Sequence, residues 1–420
     1  MPKASLLIGP IGQLVTAKDT PWRAGDEVVI MENAGIAING DEVVDVGPWG
    51  EVSSKYWSDC VINAEDLLVT PGLVDPHTHA LFAGSREDEL EMKLQGLTYD
   101  EILRRGGGIY RTINDTVKAS NEELTKLLMG RLRTALSHGT TTMEVKSGYG
   151  LLPREELRLL RVINEVSRNS QVDVVPTYLV HVPPREGDRG EYLRGVVGSL
   201  RDAVGLARFV DVFCDAGAFT VEESREVFRE ASRLGFGLRI HADEISYIGC
   251  SDLVVEFNFS SMDHLLNIPE RNVNLMASRN VVATLLPITI MSLTTSKRPP
   301  VKLMRELRVP MAIGTDFSPN SWSLNMQYAI ELATYILGMT PLESLMAATA
   351  NSAYSLRLSD RGLIRRGSRA DVVVWGVRNY RWLTYELGIN KAGIVIKGGN
   401  IVSIPNGDLR DRIICKRTLS

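Results

Sequence analysis

The chain has 420 residues, 44% hydrophobic and 23% charged, and its 51 acidic against 47 basic side chains leave a formal net charge of -4. That is the composition of a soluble globular protein, and without blocks of Lys or Arg it argues against nucleic acid as a partner, since such affinity rests on clustered positive charge. No stretch of about 18 apolar residues suggests a membrane span, and the N-terminus lacks the basic segment and apolar core of a secretory signal. Cys60, Cys214, Cys250 and Cys415 lie far apart with no CxxC pair. That spacing suits neither a disulfide framework nor a thiolate zinc site, so a reducing, cytoplasmic setting is expected.

Taken in chain order, Leu6 to Leu14, Ala34 to Val46 and Val61 to Val69 read as short strands with Gly, Asn and Asp turns, as in AGIAINGDEVVDVG (34–47). From about Val69 to Leu358, β-rich apolar runs alternate with segments of helical period, the pattern of a parallel sheet with crossover helices. Ser120 with Glu123 forms a capping box before an apolar stripe at Leu124, Leu127, Leu128, Leu132 and Ala135 that stops at Gly139, and Thr220 with Glu223 repeats it before a helix that stops at Gly235. The apolar runs are GLVDP (72–76), TTMEV (141–145), 172–178, FVDVF (209–213), GLRI (237–240), SSMDH (260–264), VVATLL (281–286) and PMAIGT (310–315). Eight such runs in about 250 residues predict a (β/α)8 barrel over 69–358, with catalytic groups at the C-terminal ends of its strands. The fifth and sixth runs are short. The tail, with ADVVVW (370–375) and AGIVIKGGNIV (392–402), has the character of the N-terminus. Because short strands need partners, residues 1–68 and 359–420 are expected to form one small β-sandwich.

Of the six histidines, five stand at predicted strand ends. His77 and His79 follow strand one in DPHTH, and alternate residues of an extended segment point the same way, so both imidazoles can reach one ion. His241 follows strand five in HADE, His264 closes strand six, and Asp316 follows strand eight in GTDFS. His181 follows strand three. Three imidazoles and one carboxylate, His77, His79, His241 and Asp316, suit Zn or Fe and need no thiolate. A position left open for water would make such a site catalytic. His138 sits at a helix end and reads as structural.

The DPHTH, HADE, DH and TD elements in this order, flanked by a two-ended β-domain, resemble the amidohydrolase superfamily of metal-dependent hydrolases. The resemblance implies a distorted barrel with those four residues as ligands. Many binuclear members carry a carboxylated lysine at the end of strand four; here that strand reads FVDVFCDAG, so one divalent or trivalent ion is expected. Lys146 follows strand two and reads as a structural or a substrate-side cation. LFAGSREDE (81–89), RRGGGI (104–109), TTTMEVKSGYGL (140–151), HADE (241–244) and TDFSP (315–319) are similar to the imidazolonepropionases, a family that hydrolyses 4-imidazolone-5-propanoate to N-formimidoyl-L-glutamate in histidine degradation. The likeness also implies a homodimer.

A propanoate needs a guanidinium or hydrogen-bond donors, a role the resemblance gives to Arg86; on the residues alone a loop salt bridge with Glu87 or Glu89 is the plainer reading. Tyr149 can offer its hydroxyl from a glycine-flanked loop or simply pack over the barrel. His181 is similar to the family's substrate-binding histidine. After Asp316 the family usually shows asparagine two residues on and glycine four on, where this chain has Ser318 and Asn320; Ser321 still supplies a hydroxyl. The implied chemistry is attack of a metal-activated water on the ring carbonyl. Asp316 would orient the water or take its proton, His264 would stabilise the oxyanion or relay a proton, and Glu244 would contact the ring nitrogen and protonate it as the C–N bond breaks. For Glu244 the alternative is a carboxylate that orients a histidine. An aromatic or purine deaminase on the same metal site is the nearest rival reading, and a non-catalytic scaffold the most distant.

Overall fold

The computed structural model of the chain describes residues 1–97 and 99–415. Alternation of period two builds its first strands, β1 (Leu6–Ala17), β2 (Val28–Asn39), β3 (Glu42–Pro48) and β4 (Cys60–Pro71). The turn expected within Ala34 to Val46 falls at Gly40 and Asp41, so that β2 and β3 pair antiparallel.

The middle of the chain supplies β5 (Leu73–Asp75), β6 (Thr140–Lys146), β7 (Asp173–Val180), β8 (Phe209–Cys214), β9 (Gly237–Ala242), β10 (Phe259–His264), β11 (Val282–Leu285) and β12 (Met311–Ile313). These eight strands lie side by side in chain order, every neighbouring pair parallel. Each coincides with one of the eight apolar runs. The short strands are not the fifth and sixth, which have six residues each, but the first and last, with three each. The physical reason lies in how the barrel closes. Among the described residues β12 and β5 share no ladder; the chain beyond them does the joining. Asp316 N donates to His77 O at 3.0 Å and His79 N to Phe317 O at 2.9 Å. Thr315 adds its amide at 3.1 Å and its hydroxyl at 2.5 Å to the buried Asp75 carboxylate. The residues expected to bind metal are therefore also the clasp of the barrel.

Crossover helices cover the outside, with the expected start signals in place. Ser120 accepts from Glu123 N ahead of the helix Asn121–Ser137, and Thr220 with Glu223 forms a reciprocal capping box ahead of Val221–Arg233. Gly139 and Gly235, both at positive φ, follow the two C-termini.

The tail adds β13 (Val372–Trp375), β14 (Ala392–Lys397), β15 (Asn400–Ser403) and β16 (Ile413–Cys415). Both ends of the chain merge into one mixed sheet in the order β15-β14-β13-β4-β1-β2-β3, with β16 also on β4. Alternation assigns the two faces of β13. Val372 and Val374 point into an aliphatic core with Ile8, Ile36, Ile62 and Ile394, while Val373 and Trp375 join the core of the barrel. Trp375 is wholly buried and satisfies its indole N–H on Thr70 Oγ1 at 2.9 Å.

The expectation of unpaired thiols is overturned: Cys60 is bonded to Cys415 and Cys214 to Cys250. Separations of 355 and 36 residues conceal the proximity, because β16 docks antiparallel on β4 with Cys415 opposite Cys60. Cys214, at the end of β8, reaches a buried Cys250 beyond β9. The spacing argument for a reducing compartment falls with them. Thiol titration of the unreduced protein in denaturant should find no free cysteine, and four after reduction; four reactive thiols before reduction would contradict both pairings.

Candidate metal centre and active site

Alternate residues of buried strands face the barrel axis, and here they carry charge. Glu144 and Lys146 on β6, Asp211 on β8, Arg239 and His241 on β9 and Asp263 on β10 are all buried. At the C-terminal rim His77, His79, His241, His264 and Asp316 meet, none more than 6% exposed. His79 Nε2 lies 3.3 Å from His241 Nε2. Asp316 Oδ1 lies 3.2 Å from His79 Nε2 and 3.4 Å from His77 Nε2. His77 Nε2 and His264 Nε2 are buried without a hydrogen-bond partner. Ring nitrogens and a carboxylate oxygen thus converge on one point, the donor set for a borderline divalent cation.

Electrostatics prepare most of these donors. Burial pushes His241 well below its ordinary range, with His77, Lys146, His264 and His79 adding to the effect, and burial also lowers His79. Neutral imidazoles with free lone pairs result. Burial works against the Asp316 carboxylate, yet the facing His77 and His79 rings hold it well below its usual range. Only His77 is pushed up, to about 9: burial and Lys146 lower it, and Asp263 outweighs them. An ion bound there would displace the His77 Nε2 proton.

Two of the histidines are aimed from behind. His77 Nδ1 donates to Asp263 Oδ2 at 2.7 Å, and Arg239 Nη2 donates to the same oxygen at 3.0 Å. His241 Nδ1 donates to Asp211 Oδ1 at 3.0 Å, while Lys146 Nζ donates to Asp211 Oδ2 at 2.8 Å and to Glu144 Oε1 at 2.7 Å. Lys146 is therefore structural: its charge is spent on two buried carboxylates. Thr289 Oγ1 donates to Asp316 Oδ2 at 2.5 Å, which leaves Oδ1 turned to the histidines. His264 and Asp316 have φ of 74° and 50°, a left-handed backbone that costs about 1–3 kcal/mol at a non-glycine residue and re-aims the side chain at a strand end.

The other expected residues fall into two groups. Around the imidazoles, Glu244 Oε1 stands 3.5 Å from His264 Nδ1, and burial raises its carboxyl. The Glu244 loop is fixed by Asp215, which accepts from Ile245 N at 2.9 Å and Ser246 N at 3.0 Å. His181 stacks on His79 with ring centroids 5.0 Å apart, and Tyr149 lies 5.3 Å from His181. The Tyr149 loop requires both its glycines: Gly148 has φ +104° and a Cβ there would meet Leu179 at 2.7 Å, while one on Gly150 would meet Glu156 N at 2.6 Å. Buried Glu156 pins it, accepting from Gly148 N, Gly150 N and Leu151 N. Ser321 Oγ lies 3.2 Å from Thr289 Oγ1 and so joins the Asp316 chain. Farther out, the Ser318 hydroxyl accepts from Asn320 N within its own turn. Asn320 Oδ1 accepts from Lys93, and Arg86 forks onto Glu89, the plainer of its two expected contacts.

Residues 99–402 match the model of an amidohydrolase family. An imidazolonepropionase of Pyrobaculum arsenaticum is 56% identical over 387 residues, 92% of this chain and 97% of that protein. The chain belongs to the amidohydrolase family, among its imidazolonepropionases. The imidazolonepropionase of Bacillus cytotoxicus is 39% identical over 94% of this chain and 96% of its own. Among solved structures, a triazine hydrolase from Arthrobacter aurescens superposes with a TM-score of 0.75 at 17% identity, covering 97% of both chains. An adenosine deaminase from Xanthomonas campestris with bound zinc gives 0.71 at 18%, over 96% of this chain and 94% of its own. At such identities these two establish the fold alone.

In this amidohydrolase the residues that sequence reasoning missed are the ones behind the histidines: Asp211, Asp263, Arg239 and Thr289. For the three charged residues the signal was present. A charged side chain inside a short apolar run, as in FVDVF, GLRI or SSMDH, has to be paired where the strand is buried. Asp263→Asn should weaken binding of a divalent ion about 10- to 100-fold with the fold retained, as read by chelator competition alongside circular dichroism; unchanged affinity would mean that His77 needs no carboxylate behind it.

Proposed function

We propose that the chain opens the ring of 4-imidazolone-5-propanoate by hydrolysing its amide C–N bond, giving N-formimidoyl-L-glutamate, with one zinc or iron ion held by His77, His79, His241 and Asp316. The observation that carries this reading is the convergence of those four side chains beside His264 and Glu244 in a member of this family. A bound divalent ion supplies a Lewis acid that polarises a carbonyl and makes water nucleophilic at neutral pH. Asp316, its second oxygen fixed by Thr289, orients the attacking water and takes its proton. His264 hydrogen-bonds the oxygen on which negative charge develops. Glu244, whose carboxyl is raised by burial, retains a proton to higher pH than an exposed glutamate and delivers it to the ring nitrogen as the bond to the former carbonyl carbon breaks. Water adds across the C–N bond and no ammonia leaves.

On the substrate side, Tyr149 and His181 flank the ring, Arg86 serves the propanoate, and Ser318, Asn320 and Ser321 form the wall beyond Asp316. A cytoplasmic homodimer, and the division into 1–68 with 359–420 and 69–358, complete the proposal on the strength of the same family likeness.

A coupled assay with urocanate and urocanase tests it: imidazolone should be consumed and N-formimidoylglutamate formed, both stopped by a chelator. Ammonia release on deaminase substrates, with no imidazolone consumption by metal-loaded protein, would overturn the substrate. His241→Ala should lose bound metal and activity together, and full activity in a metal-free preparation of it would refute the site. Glu244→Gln should lower kcat about 10²- to 10⁴-fold at unchanged metal content, whereas wild-type kcat would remove Glu244 from the proton path.

A further inference from the structure

The cation that the sequence offers for the propanoate is already matched. Arg86 Nε donates to Glu89 Oε1 at 2.9 Å and Nη2 to Glu89 Oε2 at 2.7 Å, with both residues buried. Glu89 Oε1 also accepts from Gly108 N at 2.6 Å. This fork fixes the guanidinium and cancels its charge. A carboxylate entering beside it meets a directional donor and a buried like charge together, so the pair gives little net attraction to an anion that must shed its water.

A second cation stands next to the pair. Lys93 lies on the same short helix as Glu89, Asp88–Leu94, and the four-residue spacing puts both on one face. Lys93 is half-buried. Its Nζ donates to Asn320 Oδ1 at 2.5 Å, a neutral acceptor, and no Lys93 ion pair occurs among the described residues. Burial, and then the neighbouring Arg86 charge, lowers its pKa against the pull of Glu89. Asn320 ties this ammonium to the reaction centre. It sits in the turn where Ser318 N and Ser321 N bond each other's carbonyl oxygens at 3.2 and 3.1 Å. Ser321 Oγ is 3.2 Å from Thr289 Oγ1, which bonds Asp316.

We infer that Lys93, held by Asn320, supplies the net positive charge that recognises the substrate carboxylate, while the Arg86–Glu89 fork beside it supplies direction. Arg86, Glu89 and Lys93 together carry one positive charge, the complement of one carboxylate. The inference rests on the imidazolone reading and gives the Asn320 amide a positioning role.

The experiment is isothermal titration of the metal-loaded protein with two probes, 3-(imidazol-4-yl)propanoate and its neutral primary amide. Wild type should prefer the acid. Lys93→Met should weaken the acid about 10- to 100-fold and the amide by less than about twofold, and Lys93→Arg should recover most of the loss. Equal weakening of both probes, or of neither, would overturn the inference. Should Lys93→Met not fold, Asn320→Gly removes the tether and leaves Lys93 in place; it should cost the acid several-fold more than the amide, and equal effects there would overturn the inference too. Turnover of 4-imidazolone-5-propanoate by wild type, measured separately, judges the reading beneath it. An active enzyme whose acid binding ignores Lys93 refutes the role of Lys93 alone, and an inactive one refutes the substrate.

Discussion

Asp211 and Asp263 each stand between an imidazole and a buried cation: Asp211 between His241 and Lys146, Asp263 between His77 and Arg239. Charges of this kind are costly inside a barrel, and a hydrophobic filling of the same volume is often as stable or more so. Here they are tolerated because each meets an opposite charge at hydrogen-bond distance. What the network provides is aim. A carboxylate on Nδ1 fixes the tautomer and the ring plane, so that Nε2 presents its lone pair to the rim. The cation behind the carboxylate keeps it ionised: Lys146 and Arg239 help hold Asp211 and Asp263 below their usual range against burial.

The same economy governs closure. β5 and β12, three residues each, share no ladder among the described residues, and the seam is made by the backbone of His77, His79, Asp316 and Phe317. Ligand placement and barrel integrity are one set of hydrogen bonds. The left-handed backbone at His264 and Asp316 is the local cost of turning strand ends into a site, borne by the packed core beneath.

Much of this was legible in the sequence. Eight apolar runs marked eight strands because parallel barrel strands are buried on both faces and read as short continuous hydrophobic stretches. The histidines were legible because strand ends are where such a barrel keeps its chemistry. Three things were hidden. The lengths of β5 and β12 depend on bonds between residues more than 230 positions apart, such as Asp75 with Thr315, which no local pattern records. The Cys60–Cys415 and Cys214–Cys250 pairs depend on how strands and loops dock. The partner of Arg86 depends on which of two nearby acids the next helix turns inward, and Glu89 is buried there while Glu87 bonds Ser85 at the surface.

The central claim is that one ion is held where His77, His79, His241 and Asp316 converge, and diffraction at the zinc and iron absorption edges from crystals of the purified protein tests it most directly. The account predicts a single anomalous peak about 2.0–2.2 Å from the three Nε2 atoms and an Asp316 oxygen. A peak elsewhere, a second peak toward Lys146, or no peak in a catalytically active crystal would contradict it.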